Sequence, residues 1–222
     1  MSKNVIWVVI LIIILGVIFV FTKGDKEGAE APAVPIIEEA SVIPETASLI
    51  NVEESSLKWT GRKTLIATYF DTGRINLKSG FVIYENGVPA SGEAVIDMTT
   101  IRVVNTGRGG EEENTNRLTE HLSSDDFFNV ALYPTSKIIA KSVTPVSGKA
   151  NTYKVVGELT IRGITNPIEF EAVEVSPKKF TGIVSVDRSI YNVKFGSGKF
   201  FSNLGDNIID DIFTLEFEFV VE

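Results

Sequence analysis

The chain has 222 residues, 44% of them hydrophobic, a formal net charge of -8, one histidine and no cysteine. The missing cysteines exclude a disulfide framework, a thiolate nucleophile and cysteine-held metal or iron–sulfur sites, and a lone His121 excludes the two-histidine zinc motifs. The acidic balance argues against a partner made of nucleic acid, and the length suits one ordinary domain with an appendage.

In chain order, the first feature is an apolar run from Val5 to Phe21, diluted only by Gly16. At about 1.5 Å per residue it makes roughly 26 Å of helix, near the lower limit for crossing a bilayer. The run ends in bulky Phe19, Val20 and Phe21, followed by charges from Lys23 to Glu27, with no small-x-small site close behind. This pattern favours an uncleaved transmembrane anchor over residues 1–23, with a cleaved secretory signal as the alternative. Lys3 and the α-amino group on one side balance Lys23 and Lys26 on the other, so charge alone does not orient the segment. The short N-terminal tail favours an exported body, on the periplasmic side of an inner membrane. Residues 24–50 then carry Pro32, Pro35 and Pro44 and six acids, Asp25, Glu27, Glu30, Glu38, Glu39 and Glu45. They read as a solvated linker with an average reach of about 26 to 31 Å.

From residue 51 to 222 the apolar residues recur with period two between turn residues, the pattern of antiparallel strands. Tyr153, Val155, Gly157, Leu159 and Ile161 alternate with polar or smaller neighbours, as do Phe213, Leu215, Phe217 and Phe219. Further strands are predicted over 57–62, 67–76, 80–84, 91–98, 136–142, 167–175 and 180–187. Within 168–175 the phase slips, which predicts a bulge or a two-sided buried end. A single short helix is expected over 115–122, with Leu118 and Leu122 on one face and Asn114 or Thr115 as N-cap. Many strands, one short helix and no βαβ rhythm imply an all-β barrel or sandwich.

Sites for chemistry are scarce. Gly198-Lys199 and Gly148-Lys149 lack the upstream glycine and following hydroxyl of a phosphate loop, and Gly107-Arg108-Gly109-Gly110 follows no crossover unit. Phe195 replaces the first glycine of a nucleophile elbow before Gly196-Ser197-Gly198. The pairs Asp125-Asp126 and Asp210-Asp211 lack the spaced oxygens of a calcium loop. His121, between Glu120 and Leu122, reads as a hydrogen-bonded structural residue. No catalytic residue, metal site or cofactor is therefore assigned.

Two stretches carry a resemblance. Residues 118–134, LTEHLSSDDFFNVALYP, and 153–167, YKVVGELTIRGITNP, resemble the central signature of the YceI-like family of lipid or polyisoprenoid-binding proteins. Trp59-Thr60-Gly61, Ile96-Asp97-Met98 and the stretch from Val186-Asp187-Arg188 to Gly205-Asp206 are similar to one branch of it, and the likeness spans residues 52–222. One departure is Asp71-Thr72-Gly73, where many relatives resemble His-Thr-Gly.

The resemblance implies an extended antiparallel β-barrel of about eight strands and lipocalin-like shape, exported in bacteria. Its partner would be a polyisoprenoid or other lipid in a long apolar cavity, and a homodimer stays open. On this reading the cavity is lined by Phe70, Phe81, Ile83, Ile96, Val155, Leu159, Phe170, Val184, Phe213, Leu215, Phe217 and Phe219, the alternative being a packed core. Phe127 and Phe128 would seal the barrel, and Arg162, Arg188 and Lys194 are candidates to meet a polar headgroup. Two other functions compete: a packed envelope module that binds proteins on its outside, and a lipid-modifying enzyme.

Overall fold

The structure is a computed structural model that describes residues 42–222; the anchor expected over 1–23 and residues 24–41 of the expected linker lie outside the described residues. Among the described residues no helix is long and apolar enough to cross a membrane. The described chain forms β1 (Ala47–Leu49), β2 (Ser56–Arg62), β3 (Phe70–Glu85), β4 (Val88–Asn105), α1 (Glu112–Ser123), β5 (Thr135–Pro145), β6 (Thr152–Ile161), β7 (Ile164–Ser176), β8 (Lys179–Asp187) and β9 (Ile212–Val220). Short 3-10 turns at Arg188–Tyr191 and Gly205–Asn207 interrupt the last long connection.

Each strand from β2 to β9 pairs antiparallel with the next, and β9 returns to pair with β2 from Ser56↔Glu218 to Thr60↔Thr214. The result is a closed eight-stranded antiparallel barrel with one α-helix among the described residues. Closure leaves no long unpaired edge between β2 and β9. β1 extends the position of β2: both pair with β3, β1 across Phe81 to Ile83 and β2 across Phe70 to Ile75. Between them the Ile50 N–H donates to the Gly80 carbonyl at 2.9 Å and the Asn51 N–H to the Val220 carbonyl at 2.8 Å. The chain then loops out and is held by Asn51 Oδ1, which accepts from the Glu53 and Glu54 N–H groups at 3.1 and 3.2 Å. Barrel pairing thus begins at Ala47, inside the stretch read from sequence as linker.

The separate strands expected over 67–76 and 80–84 are one 16-residue β3. Register shifts against β4 at Thr72/Gly73, Arg74/Asn76, Leu77/Ser79 and Ile83/Tyr84 account for the apparent gap. The extra β3 residue between Leu77 and Ser79 swaps which of its side chains face inward, so Ile75 and Leu77 are buried before it, and Val82 and Tyr84 pack on the core after it. The slip expected in 168–175 corresponds to a register shift between Glu174 and Ser176.

The two ends of the barrel differ. At one, two-residue turns join β3 to β4 and β7 to β8 and a short loop joins β5 to β6; at the other lie α1, the 124–134 segment and the 188–211 connection. α1 begins three residues before the sequence expectation, because Glu112 and Glu113 occupy its first turn, where negative charge suits the exposed N–H groups. It docks through Thr119 Oγ1, which accepts from the Val103 N–H at 2.9 Å, and through buried Leu122.

Candidate functional site

Period-two alternation in a closed barrel sends every second side chain inward, and eight strands leave an interior about wide enough for side chains or one slender ligand. Here the interior is not filled. It holds a cavity of about 130 Å³ toward the hairpin end and a second of about 140 Å³ toward the helix end. Ile96, Leu159, Val186 and Leu215, from β4, β6, β8 and β9, border both and form a waist between them. Across β6, Tyr153 borders the first chamber and Ile161 the second. At about 3.3 Å per residue and a tilt near 40°, the pair of chambers runs roughly 20 Å along the barrel.

The first chamber is bordered almost wholly by apolar groups. One wall carries small residues: Gly92 and Ala94 of β4, and Ala140 of β5, which pairs directly with Gly92. The other carries rings. Phe217 meets Phe170 edge-on at 5.7 Å between centroids and lies 4.8 Å from Phe219. Gly182 gives the Phe217 ring its place, since a Cβ there would stand 2.6 Å from ring carbons Cε1 and Cζ. Near the hairpin turns, Tyr153 Oη donates to Glu174 Oε2 at 3.3 Å, while the buried Tyr84 hydroxyl has no hydrogen-bond partner among the described residues. Burial first, and then the nearby Glu174 and Tyr153, push the Tyr84 phenol up to about 12.

The second chamber mixes apolar and polar groups. Leu118, His121 and Leu122 of α1 border it, with Phe127 and Phe128 from the following turn. Trp59, Asp71, Ser136, Arg188 and Asp210 border it as well. The Trp59 indole lies over Gly73, where a Cβ would meet Trp59 Cζ2 at 2.3 Å and the Arg102 carbonyl at 2.0 Å. Asp71 Oδ1 accepts from the Gly107 N–H at 3.0 Å and so pins the loop after β4. Burial pushes the Asp71 carboxyl up, against the opposing pull of the Gly107 N–H, Lys63 and Arg108. His121 packs edge-on against Phe195 at 4.4 Å and Phe127 at 5.3 Å. Its buried Nε2 has no hydrogen-bond partner among the described residues, which corrects the reading of a hydrogen-bonded histidine at that atom.

Arg188 is 3% exposed and holds the 188–211 connection together. Its Nε donates to the Asp210 carbonyl at 3.1 Å, Nη1 to those of Val193 and Phe195 at 3.0 and 2.8 Å, and Nη2 to that of Ile209 at 3.1 Å. Asp211 Oδ1 stands 3.4 Å from Nη2, and the guanidinium lies 5.5 Å from the Phe127 ring centroid. Arg188 therefore borders the chamber with its donors committed to the chain.

Of the twelve residues expected on the lining, Phe81, Val155, Phe170, Val184, Phe217 and Phe219 border the first chamber, Phe213 the second, and Ile96, Leu159 and Leu215 both. Phe70 and Ile83 border neither: Phe70 is 43% exposed at the start of β3, and the bulge between Leu77 and Ser79 turns the residues flanking Ile83 inward instead. Among the headgroup candidates, Arg162 sits on the β6–β7 turn and donates to the Asp125 and Phe127 carbonyls, and Lys194 is exposed with Nζ 5.3 Å from the Phe200 ring centroid. Neither borders a chamber. The sequence reading passed over Val186 and Trp59. Val186 shares its inward phase with Val184, a signal that was present; nothing along the chain indicates that Trp59 lacks a partner. Among the described residues no group of three or more His, Asp or Glu side chains is placed to hold a metal ion.

Comparison with known proteins matches the YceI-like domain profile over residues 49–221. A UPF0312 protein of Shewanella denitrificans is 27% identical over 103 residues, 46% of this chain and 49% of that protein. A UPF0312 protein of Pseudomonas savastanoi pv. phaseolicola is 42% identical over 53 residues, 24% of this chain and 27% of that protein. The chain thus aligns with half or less of the length of these relatives. Among solved structures, Burkholderia cenocepacia BcnA superposes with a TM-score of 0.57 at 20% identity, covering 77% of this chain and 98% of BcnA. A polyisoprenoid binding domain from Saccharophagus degradans superposes with a TM-score of 0.53 at 18% identity, covering 80% and 98%.

Proposed function

Since the chain belongs to the YceI-like family, we propose that its barrel holds a polyisoprenoid or similar long apolar chain, for storage, shielding or transport in the cell envelope. The observation that carries this reading is the first chamber, hollow and almost wholly apolar, with a second on the far side of four aliphatic side chains. The Saccharophagus domain of the same fold, described as polyisoprenoid binding, supports it.

The energetics are sufficient without any charged contact. At about 0.8 kcal/mol per buried methylene, a five-carbon isoprene unit contributes roughly 3 to 4 kcal/mol gross. Several units offset the cost of ordering the chain and still leave micromolar affinity, about -8 kcal/mol. The reading is one of binding and assigns no chemical step. The apolar run from Val5 to Phe21 and the acidic linker after it support a tether to the membrane with the barrel exported.

Native mass spectrometry and lipid extraction of the full-length chain from its native membrane test the proposal. A co-purifying prenyl or similar lipid is expected. Phe217→Glu should abolish its uptake by placing a carboxylate in the first chamber, whereas Glu216→Lys, on the exposed face of β9, should not. Bare protein whose melting temperature does not respond to added prenols would refute it.

A further inference from the structure

Along one seam of the barrel the ladder is much shorter than its strands allow. β7 pairs with β6 from Thr152↔Val173 to Ile161↔Ile164, and β8 pairs with β9 from Lys179↔Val220 to Asp187↔Ile212. Between β7 and β8 the ladder stops at Ala172↔Gly182. Counted on in register, Phe170 would fall opposite Val184 and Ile168 opposite Val186, but neither pair forms. The two sides meet again at the helix end, where Asn166 Nδ2 donates to the Ile190 carbonyl at 3.3 Å. A slit is thus left in the wall, bounded by the Ala172↔Gly182 pair above and by Asn166 below. The β4–β5 ladder also stops short, but α1 covers its helix-end half, where the Val103 N–H donates to Thr119 Oγ1.

Both sides of the slit reach the interior. Ile168 and Phe170 from β7 and Val184 and Val186 from β8 border the first chamber, and Val186 belongs to the waist. On β7 the inward side chains from Ile164 to Phe170 are partly exposed, and the first buried one is Ala172, where pairing with β8 begins. Outside, the rim is apolar: Ile183 is 63% exposed and Ile190 48%, and Pro167 is exposed on the β7 side. The two carboxylates of that side are drawn away from the slit, Glu169 to Lys154 on β6 and Glu171 to Lys149 before β6, each at 2.7 Å. Proline and charge on an open edge also keep it from recruiting a strand of another chain.

We infer that this slit is the passage by which the apolar chain of a lipid enters and leaves the barrel, sideways through the wall. The inference rests on the lipid-binding reading and adds the route to it. To pass a fully paired seam, a chain would have to break several ladder hydrogen bonds at once and leave their groups unsatisfied beside hydrocarbon. At the slit no ladder pair stands in the way, and the path runs from an apolar rim to an apolar chamber. At the helix end a chain would have to displace α1 or the connection that Arg188 ties down. A side chain that acts only on a passage changes the rates of entry and exit together and leaves the equilibrium affinity where it was.

The chain has no cysteine, so a pair can be introduced without competition. Full-length Glu169→Cys/Ser185→Cys is loaded with geranylgeraniol, joined across the slit by a short bismaleimide, and followed as it gives up the prenol to phosphatidylcholine vesicles. Release should slow by about tenfold or more relative to the unjoined variant. The same link between Val173→Cys and Thr181→Cys, a pair inside the ladder, should leave release within about twofold of its unjoined rate. A second variant, Ile183→Lys, sets a charge on the exposed rim and should slow uptake and release together, severalfold, with Kd unchanged. Release at the unjoined rate, equal slowing by the link inside the ladder, or expulsion of the prenol on joining would overturn the inference while leaving lipid binding intact. So would an Ile183→Lys chain that exchanges prenol at the parent rate. A full-length chain that takes up no prenol before joining would overturn both readings.

Discussion

Replacing Val186 by phenylalanine should divide the barrel interior in two. Val186 is 3% exposed and, with Ile96, Leu159 and Leu215, borders both chambers, so added ring carbons have the waist itself to occupy. Overpacking a tight core costs about 1 to 3 kcal/mol. Here the ring has a cavity of about 130 Å³ on one side and about 140 Å³ on the other, so the lower part of that range applies and the barrel should stay folded. The effect on binding is larger. Each isoprene unit kept out of the far chamber forfeits roughly 3 to 4 kcal/mol of gross burial. Even if ordering costs cancel half of that, a prenol long enough to pass the waist loses on the order of tenfold or more per excluded unit. Calorimetric titration with geraniol, farnesol and geranylgeraniol reads this directly. In the parent chain affinity should climb with length until the chambers are full, and in Val186→Phe the climb should stop earlier, with geraniol nearly unaffected. If the two length profiles run parallel, the chain does not pass between the chambers and the reasoning fails.

Arg188→Ala strips the donors from four backbone carbonyls and leaves Asp211 with Lys199, 3.6 Å from Oδ2, as its remaining partner; it should cost about 3 kcal/mol and expose the 188–211 connection to limited proteolysis. Asp71→Asn keeps an acceptor for the Gly107 N–H and removes a carboxyl that burial pushes up. A raised carboxyl favours the native state below its unfolded value, and that advantage is lost as pH rises through the folded value. The variant should therefore melt higher than the parent at neutral pH, and the difference should shrink below about pH 4. Ala140→Leu places extra methyl groups in the first chamber from its small-residue wall; it should raise the melting temperature of the ligand-free chain by about 2 to 4 °C, corresponding to about 1 kcal/mol, and weaken lipid uptake.

Legibility in the sequence followed the regularity of the backbone. β6 and β9 hold one phase from end to end, so Val155, Leu159, Phe213, Leu215, Phe217 and Phe219 could be placed on an inner face from alternation alone. β3 and β4 could not be read that way. Four register shifts along their ladder change the inward set, and Ile83, in phase with Phe81, was assigned to a cavity it does not border. The polar half of the site was hidden for a different reason. Arg188 follows directly on β8, and only the folding back of residues 193–211, a connection with no periodicity, brings four carbonyls around it. Trp59 and His121 carry no local mark of being unpaired, because that property depends on what the surrounding elements fail to offer them.

The hollow itself is a property of side-chain choice rather than of strand number. Eight strands can be filled completely by ordinary core residues. In this barrel Ala94 and Ala140 border the first chamber with small side chains, while Gly92 is held to glycine by the neighbouring strand, since a Cβ there would stand 2.5 Å from the Phe81 carbonyl oxygen. Apolar walls that face an unfilled space forgo the packing contacts of a close-packed core, over a chamber of about 130 Å³ and a second of about 140 Å³. Folding stability is typically only about 5 to 15 kcal/mol, so packing forgone on two chambers matters to a domain with no use for them. A bound chain removes most of that cost by restoring the missing contacts, so ligand binding and folding stability draw on the same interface. Ala94 on β4 and Ala140 on β5 are therefore positions at which the sequence gives up packing, and a lipid that fits returns it.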